Sequence, residues 1–229
     1  MRREWDGDTN LMAVHIGIVD TGVDRKHPCF KRRKLSGVGV CREGENYRLE
    51  PDFHDLHGHG TAMAARIQSF CRKARLYAVR IAQQDGDGPV ARVQEQALAM
   101  GIEWCVGEGI RIVNVSYSIA AAAEDGFLVR ACRKAYERGV IVVAAYRNGK
   151  EGPVYPAAFP TVIGVRCRGD LKPGQVSVLN AENLDLYAWG GSNSIACAQV
   201  SAMVGRIHTV DERYGLEEVF AFLTEVSVP

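Results

Sequence analysis

Apolar residues along this chain fall into two alternating kinds of stretch. Short, nearly unbroken runs occur at 14–20, 76–81, 110–116, 140–145 and 161–165. Such continuity predicts strands covered on both faces, as in a parallel sheet, because a half-exposed strand would alternate apolar and polar positions. Between them lie segments with apolar residues three or four apart. In 90–106, Val93, Ala97, Met100 and Trp104 share one helical face. Helices are likewise predicted over 59 to about 72, 124–138, 195–205 and about 211–224. Strands alternating with helices imply an α/β fold, a doubly wound, mostly parallel sheet with right-handed crossovers and helices on both faces. Residues 31–54, rich in Gly and Arg, read as a surface excursion, and 85–89 as a turn-rich loop. With no repeat and no linker in 229 residues, a single domain over 1–229 is expected.

Composition narrows the classes little but excludes some. A formal net charge of +1 gives no reason to expect nucleic acid or an anionic membrane as partner. The cluster Lys31-Arg32-Arg33-Lys34 reads as solvated loop surface. No signal-like or membrane-length apolar run is present, and a cytoplasmic location is expected. Seven cysteines without a C-x-x-C pair fit neither a disulfide framework nor a zinc site and are expected as reduced core thiols. His54 and His57 beside Asp55 read as loop histidines rather than metal ligands, since no further ligand pair accompanies them. No metal and no cofactor are expected.

Three positions carry candidate chemistry. Asp20 closes the first apolar run, at a strand's carboxyl end, where open α/β sheets place ligands and catalytic groups. His59 lies between Gly58 and Gly60, then Thr61 and small apolar residues, a tight loop opening into a helix. The glycines permit close backbone approach, and Thr61 is expected to accept from a free N–H at the helix start. Ser194 follows a glycine pair where a turn becomes a helix, so its hydroxyl can be exposed and its N–H can face a developing oxyanion. A serine attacking at neutral pH needs a base for its proton, and the base needs a carboxylate to fix its tautomer. Asn148, after the most apolar strand, is placed to supply a second oxyanion donor. Cys197, one turn beyond Ser194, is expected to pack inside, and Trp189 to lie near substrate.

These residues resemble those of subtilisin-family serine proteases (subtilases). The resemblance rests on Val19-Asp20-Thr21-Gly22-Val23 with His27-Pro28, Gly58-His59-Gly60-Thr61, Leu76-Tyr77-Ala78-Val79-Arg80, Tyr155-Pro156-Ala157-Ala158-Phe159-Pro160 and Ser192-Asn193-Ser194-Ile195-Ala196. It covers about residues 14–207 in order. It implies a serine endopeptidase in which Asp20 orients, His59 is the base, Ser194 the nucleophile and Asn148 the oxyanion donor. It also implies substrate contacts at Gly86, Asp87 and Gly88, where an extended peptide adds as a strand. Ser116-Tyr117-Ser118 and Ala145-Tyr146-Arg147 are the further substrate-binding stretches it implies.

The chain departs from the family at several points. Asn193 stands where the family has Thr, Ala198-Gln199 where it has Pro-His, Ser118-Ile119 where it has a glycine pair, and Tyr146-Arg147 where it has Ala-Gly. An altered, narrowed pocket is expected, with bulk and charge on its wall. Arg147 either favours an acidic side chain before the scissile bond or swings into solvent. About a dozen residues precede the first strand, too few for the family's pro-segment, and the calcium loops of secreted members are not recognisable. Both features fit an intracellular enzyme with one dedicated client, such as the leader of a ribosomally made peptide natural product. The partner expected is therefore a peptide or precursor protein. Two alternatives stand beside hydrolysis: acyl transfer to an amine, giving ligation or cyclisation, and an inactive binding module that keeps the fold.

Overall fold

A computed structural model describes residues 12–55, 57–82, 94–149 and 152–229. Nine strands form one sheet in the order β3-β2-β4-β1-β5-β6-β7-β9-β8. In chain order they are β1 (Val14–Asp20), β2 (Ser36–Glu43), β3 (Asn46–Glu50), β4 (Ala74–Arg80), β5 (Ile112–Val115), β6 (Ile141–Ala145), β7 (Val162–Cys167), β8 (Val176–Asn180) and β9 (Asp185–Ala188). Only the outermost pairs, β2 with β3 and β8 with β9, run antiparallel. The helices are α1 (His59–Phe70), α2 (Glu95–Gly107), α3 (Phe127–Glu137), α4 (Asn193–Val210) and α5 (Leu216–Glu225).

Two apolar layers sandwich the sheet. Ile16 and Ile18 of β1 pack with Ile67 of α1, Val200 and Val204 of α4 and Val219 of α5. Val19, the alternate residue, lies on the opposite face with Leu98 and Ile102 of α2 and Leu128 of α3. The two-residue side-chain period of a strand sends neighbours to opposite layers, and both layers need apolar side chains. Truncating a side chain such as Leu98, which is fully buried, would cost about 2–5 kcal/mol.

The central helix, α4, is buried almost all round, which explains its run of small residues. Asn114 of β5, wholly buried, anchors it: its Oδ1 accepts from Ser201 Oγ at 3.0 Å and from Cys197 Sγ at 3.3 Å. Cys197 is inside, as expected from sequence, and burial pushes its thiol pKa far above the ordinary value.

The predicted surface excursion at 31–54 is a correction: it contains β2 and β3. Gly37 and Gly39 hide β2 from a periodicity reading, yet a Cβ there would meet Ala78 O at 2.0 Å and Asp52 O at 2.3 Å. The helix expected from 211 begins instead at Leu216. Asp211 accepts from the backbone N–H and guanidinium of Arg213, holding a turn in place of a first helical turn. All seven cysteines are free thiols; four are buried and Cys29 is exposed, so they are not uniformly core residues.

Sheet order fixes where a site can form. β1 lies between β4 on one side and β5 on the other, so the chain changes direction across the sheet next to β1. Crevices in open α/β sheets open outside strand carboxyl ends at such a point. Asp20 is the last residue of β1.

Candidate active site

Asp20 and His59 meet directly. His59 Nδ1 donates to Asp20 Oδ1 across 2.7 Å, with the aspartate fully buried and the imidazole about a third exposed. Thr21 N also donates to Asp20 Oδ1, at 2.7 Å. The bond to Asp20 raises the His59 pKa above its ordinary value, overcoming the burial that would lower it. The Tyr117 ring stands edge-on to the imidazole at 6.4 Å between centroids.

Glycines make that contact sterically possible. Gly58 sits at φ 86°, a left-handed conformation that turns the chain into α1. A Cβ at Gly60 would meet Gly22 O at 2.2 Å and Asp20 Cβ at 3.0 Å, so a side chain there would push α1 away from β1.

A second acid, Asp55, which its sequence context leaves without an assigned role, holds β1 and α1 in register. Asp55 Oδ2 accepts from Thr61 N at 2.9 Å and from Thr61 Oγ1 at 2.6 Å. Its Oδ1 accepts from Thr21 Oγ1, His57 N and Gly58 N at 2.8–2.9 Å. Thr21 Oγ1 in turn accepts from Gly60 N at 2.8 Å. Burial would raise the Asp55 pKa, but the bonds from Thr61, Gly58 and Thr21 outweigh it and hold the carboxyl below its ordinary value. Thr61 is therefore not its own helix's cap, as expected from sequence: its hydroxyl donates to Asp55 and accepts from Asp24 N. The legible signal was an acid four residues before His59, at a helix N-terminus, where negative charge is favoured.

Ser194 lies in the first turn of α4 and is 8% exposed. The α4 helix packs against α1, whose first residue is His59. The Ser194 hydroxyl and the His59 ring are not hydrogen-bonded to each other. Ser192 caps α4 by accepting from Ile195 N at 3.3 Å.

Asn193, a departure from the family, makes three contacts around Ser194. Its N–H donates to Asn148 Oδ1 at 2.9 Å, its Nδ2 donates to Tyr146 O at 2.9 Å, and its Oδ1 accepts from Cys167 N at 2.8 Å. It ties the start of α4 to the segments leaving β6 and β7. Because a backbone N–H can only donate, the Asn148 oxygen must face Asn193, which leaves the Asn148 amide NH2 as the outward donor.

The proposed pocket residues divide. Ser116, Tyr117 and Ser118 continue β5, and Ala145, Tyr146 and Arg147 finish and leave β6, so the two stretches lie side by side. The bulk expected on the pocket wall from Tyr146 is corrected. Its ring is buried, its hydroxyl donates to the Asp185 carboxylate at 3.0 Å, and Arg166 lies over its face at 4.0 Å. Arg147 does not swing into solvent: its Nη2 donates to Ser118 O at 3.0 Å, crossing from one stretch to the other. Gly86, Asp87 and Gly88 lie outside the described residues. Trp189 is half-buried, with Arg66 above its ring at 5.0 Å.

Subtilisin DY of Bacillus licheniformis is 30% identical over 161 residues, 66% of this chain and 55% of that protein. Subtilisin Savinase of Lederbergia lenta is 30% identical over 163 residues, 67% of this chain and 55% of that protein. The chain thus spans about half the length of these relatives. Among solved structures, the prenylagaramide maturation protease PagA superposes with a TM-score of 0.66 at 20% identity, covering 88% of this chain and 77% of that one. The patellamide maturation protease PatA does so with 0.66 at 22% identity, covering 89% and 81%. No helix among the described residues is long and apolar enough to cross a membrane. The profile of the Subtilase family matches residues 12–191, from just before β1 into the turn that precedes α4, and the chain belongs to that family.

Proposed function

We propose that the protein is a serine endopeptidase working through Asp20, His59 and Ser194. The observation that carries this reading is the 2.7 Å bond between His59 Nδ1 and the buried Asp20 carboxylate. It fixes the tautomer so that Nε2 is the free base, and it stabilises the imidazolium that forms. Nε2 takes the proton of Ser194 Oγ as that oxygen attacks the scissile carbonyl. The oxyanion receives hydrogen bonds from the Asn148 amide NH2 and the Ser194 N–H. The imidazolium then protonates the leaving amine, and water, deprotonated by His59, releases the acyl group. A separated serine and imidazole before substrate binds is compatible with this sequence, because such bonds commonly tighten only in the substrate complex.

The substrate is a peptide or precursor protein, held along Ser116–Ser118 and 145–147, with Gly86, Asp87 and Gly88 as the facing strand. Processing of one dedicated precursor is supported by the fold shared with two proteases named for peptide maturation. Residues 1–229 act as one catalytic domain in this reading. Seven free thiols, none in a disulfide, support a reducing, cytoplasmic setting.

Labelling with a fluorophosphonate tests the reading. Wild type should label, and Ser194→Ala and His59→Ala should not. Absence of label on folded wild-type protein would overturn it.

A further inference from the structure

The proposed catalytic residues lie at the carboxyl ends of the strands, but a cluster of basic residues lies at their other end. Arg32, Arg33 and Lys34, which precede β2, and Arg75, at the start of β4, line a cavity of about 580 Å3. All four are exposed, and no Asp or Glu lines the cavity. Among the described residues none of the four pairs with a carboxylate, whereas Arg80, Arg168 and Arg213 each do. Like charges gathered without counter-charge repel one another, so the cluster costs stability in the free protein and is relieved by an anionic ligand.

The remainder of the lining discriminates among anions. Gln68, 7% exposed, lines the cavity, and its Oε1 has no hydrogen-bond partner among the described residues. Its Nε2 is committed to the carbonyls of Cys71 and Arg72, so the amide orientation is fixed with oxygen outward from those bonds. An unmatched acceptor amid cations suits a ligand that brings an N–H donor together with negative charge. Tyr77 and Leu35 add apolar wall. Acidic side chains, amide N–H groups and apolar side chains occur together in an acidic polypeptide; a phosphate brings charge but no apolar group for the wall formed by Tyr77 and Leu35.

We propose that this cavity docks an acidic segment of the polypeptide substrate, remote from the scissile bond. The proposal rests on the proteolytic reading for its purpose, though the docking itself needs no turnover. Distance permits it. Asp20 pairs in register with Arg80, and Arg75 lies five residues back along β4, about 16 Å at the strand rise. An extended segment of about five or six residues covers that span in a straight line. Recognition and cutting would then use different parts of the same polypeptide, which selects one client even where the pocket at the cut tolerates several.

The test uses full-length Ser194→Ala protein, so that binding is read without cleavage. A fluorescent peptide of alternating Glu and Leu is titrated by anisotropy at low and high salt, beside a peptide with Gln for every Glu. The comparison protein adds Arg32→Gln, Lys34→Gln and Arg75→Gln; Arg33 is kept because its Nη1 holds Arg72 O. The acidic peptide should bind more tightly than its Gln counterpart, with salt weakening it. Its Kd should rise about tenfold in the triple variant, the sum of three exposed ion pairs. Equal binding by both proteins would overturn the proposal. So would an RNA oligonucleotide of equal charge binding this surface more tightly than the peptide, which would assign it to nucleic acid. Fluorophosphonate labelling of proteins that retain Ser194, with and without the three substitutions, separates the readings. Loss of peptide binding with labelling intact is failure of docking at the variant surface alone, as expected, whereas no labelling in either strikes at the protease reading.

Discussion

The backbone N–H of Asn193 donates to Oδ1 of Asn148 across 2.9 Å, so the residue beside the proposed nucleophile holds the proposed oxyanion donor by its other end. Orientation of the Asn148 amide is thereby set before substrate arrives, which is what makes such a donor effective. Asn193 is itself pinned by Tyr146 O and Cys167 N. Asn148→Ala should lower kcat by about 10²–10³ with little change in KM. Asn193→Ala keeps the backbone bond but frees its position, and a smaller loss in kcat is expected. Steady-state kinetics on a fluorogenic peptide decides: a change confined to KM would remove Asn193 from the positioning role.

In the proposed mechanism, the raised basicity of His59 sets the acid limb of activity. The base must be neutral, so kcat/KM should rise with pH through a value above 6.5. Asp20→Asn removes the bond that raises it, moving the limb downward and lowering kcat by about 10⁴. The same group affects stability with a definite sign. Its folded pKa is raised, so its contribution is full below the unfolded value of 6.5 and is lost as pH rises through the folded value. A limb at or below 6.5 in wild type would contradict the geometry.

Asp55 should matter for stability more than its place outside the proposed triad implies. Asp55→Ala leaves Thr61 N, Gly58 N, His57 N and the Thr21 hydroxyl without their acceptor. A loss of about 2–4 kcal/mol is expected in denaturant melts. Its folded pKa is depressed, so its stabilisation is present above the ordinary value of 3.8 and fades as pH falls through the lower folded value. Wild type should therefore lose stability faster than Asp55→Asn on acidification below that range. Parallel acid titrations of the two proteins would rule the network out as a stabilising element.

Arg147 joins the two pocket stretches through Ser118 O, and it places a cation where a side chain before the scissile bond is expected to lie. A carboxylate there gains charge-assisted bonds, and a large apolar group must desolvate the guanidinium. Replacing Arg147 with Ala should shift kcat/KM toward Leu or Phe over Glu before the cut by about tenfold, on the scale of one charged hydrogen bond. A peptide library profiled on both proteins reads this directly, and an unchanged profile would exclude Arg147 from selectivity.

Much of this molecule is determined locally. Unbroken apolar runs such as 140–145, too short for a helix and rich in β-branched residues, read as strands covered twice, and their alternation with helices points to a parallel sheet. His59 between glycines and Asp20 at a strand end were legible for the same reason: their backbone requirements are written in adjacent residues. What tertiary structure decided depends on residues far apart in sequence. β2 was invisible because its glycines answer to Ala78 and Asp52, not to their own neighbours. The direction of Tyr146 was set by Asp185, 39 residues away, whose buried carboxylate needs its hydroxyl. Asp55 became a brace only when Thr21 and Thr61 converged on it, and Arg75 joined the cations of 32–34 in one surface only when β2 came to lie beside β4. Periodicity reports which face a side chain takes; what it meets there is set by how the sheet brings distant segments together.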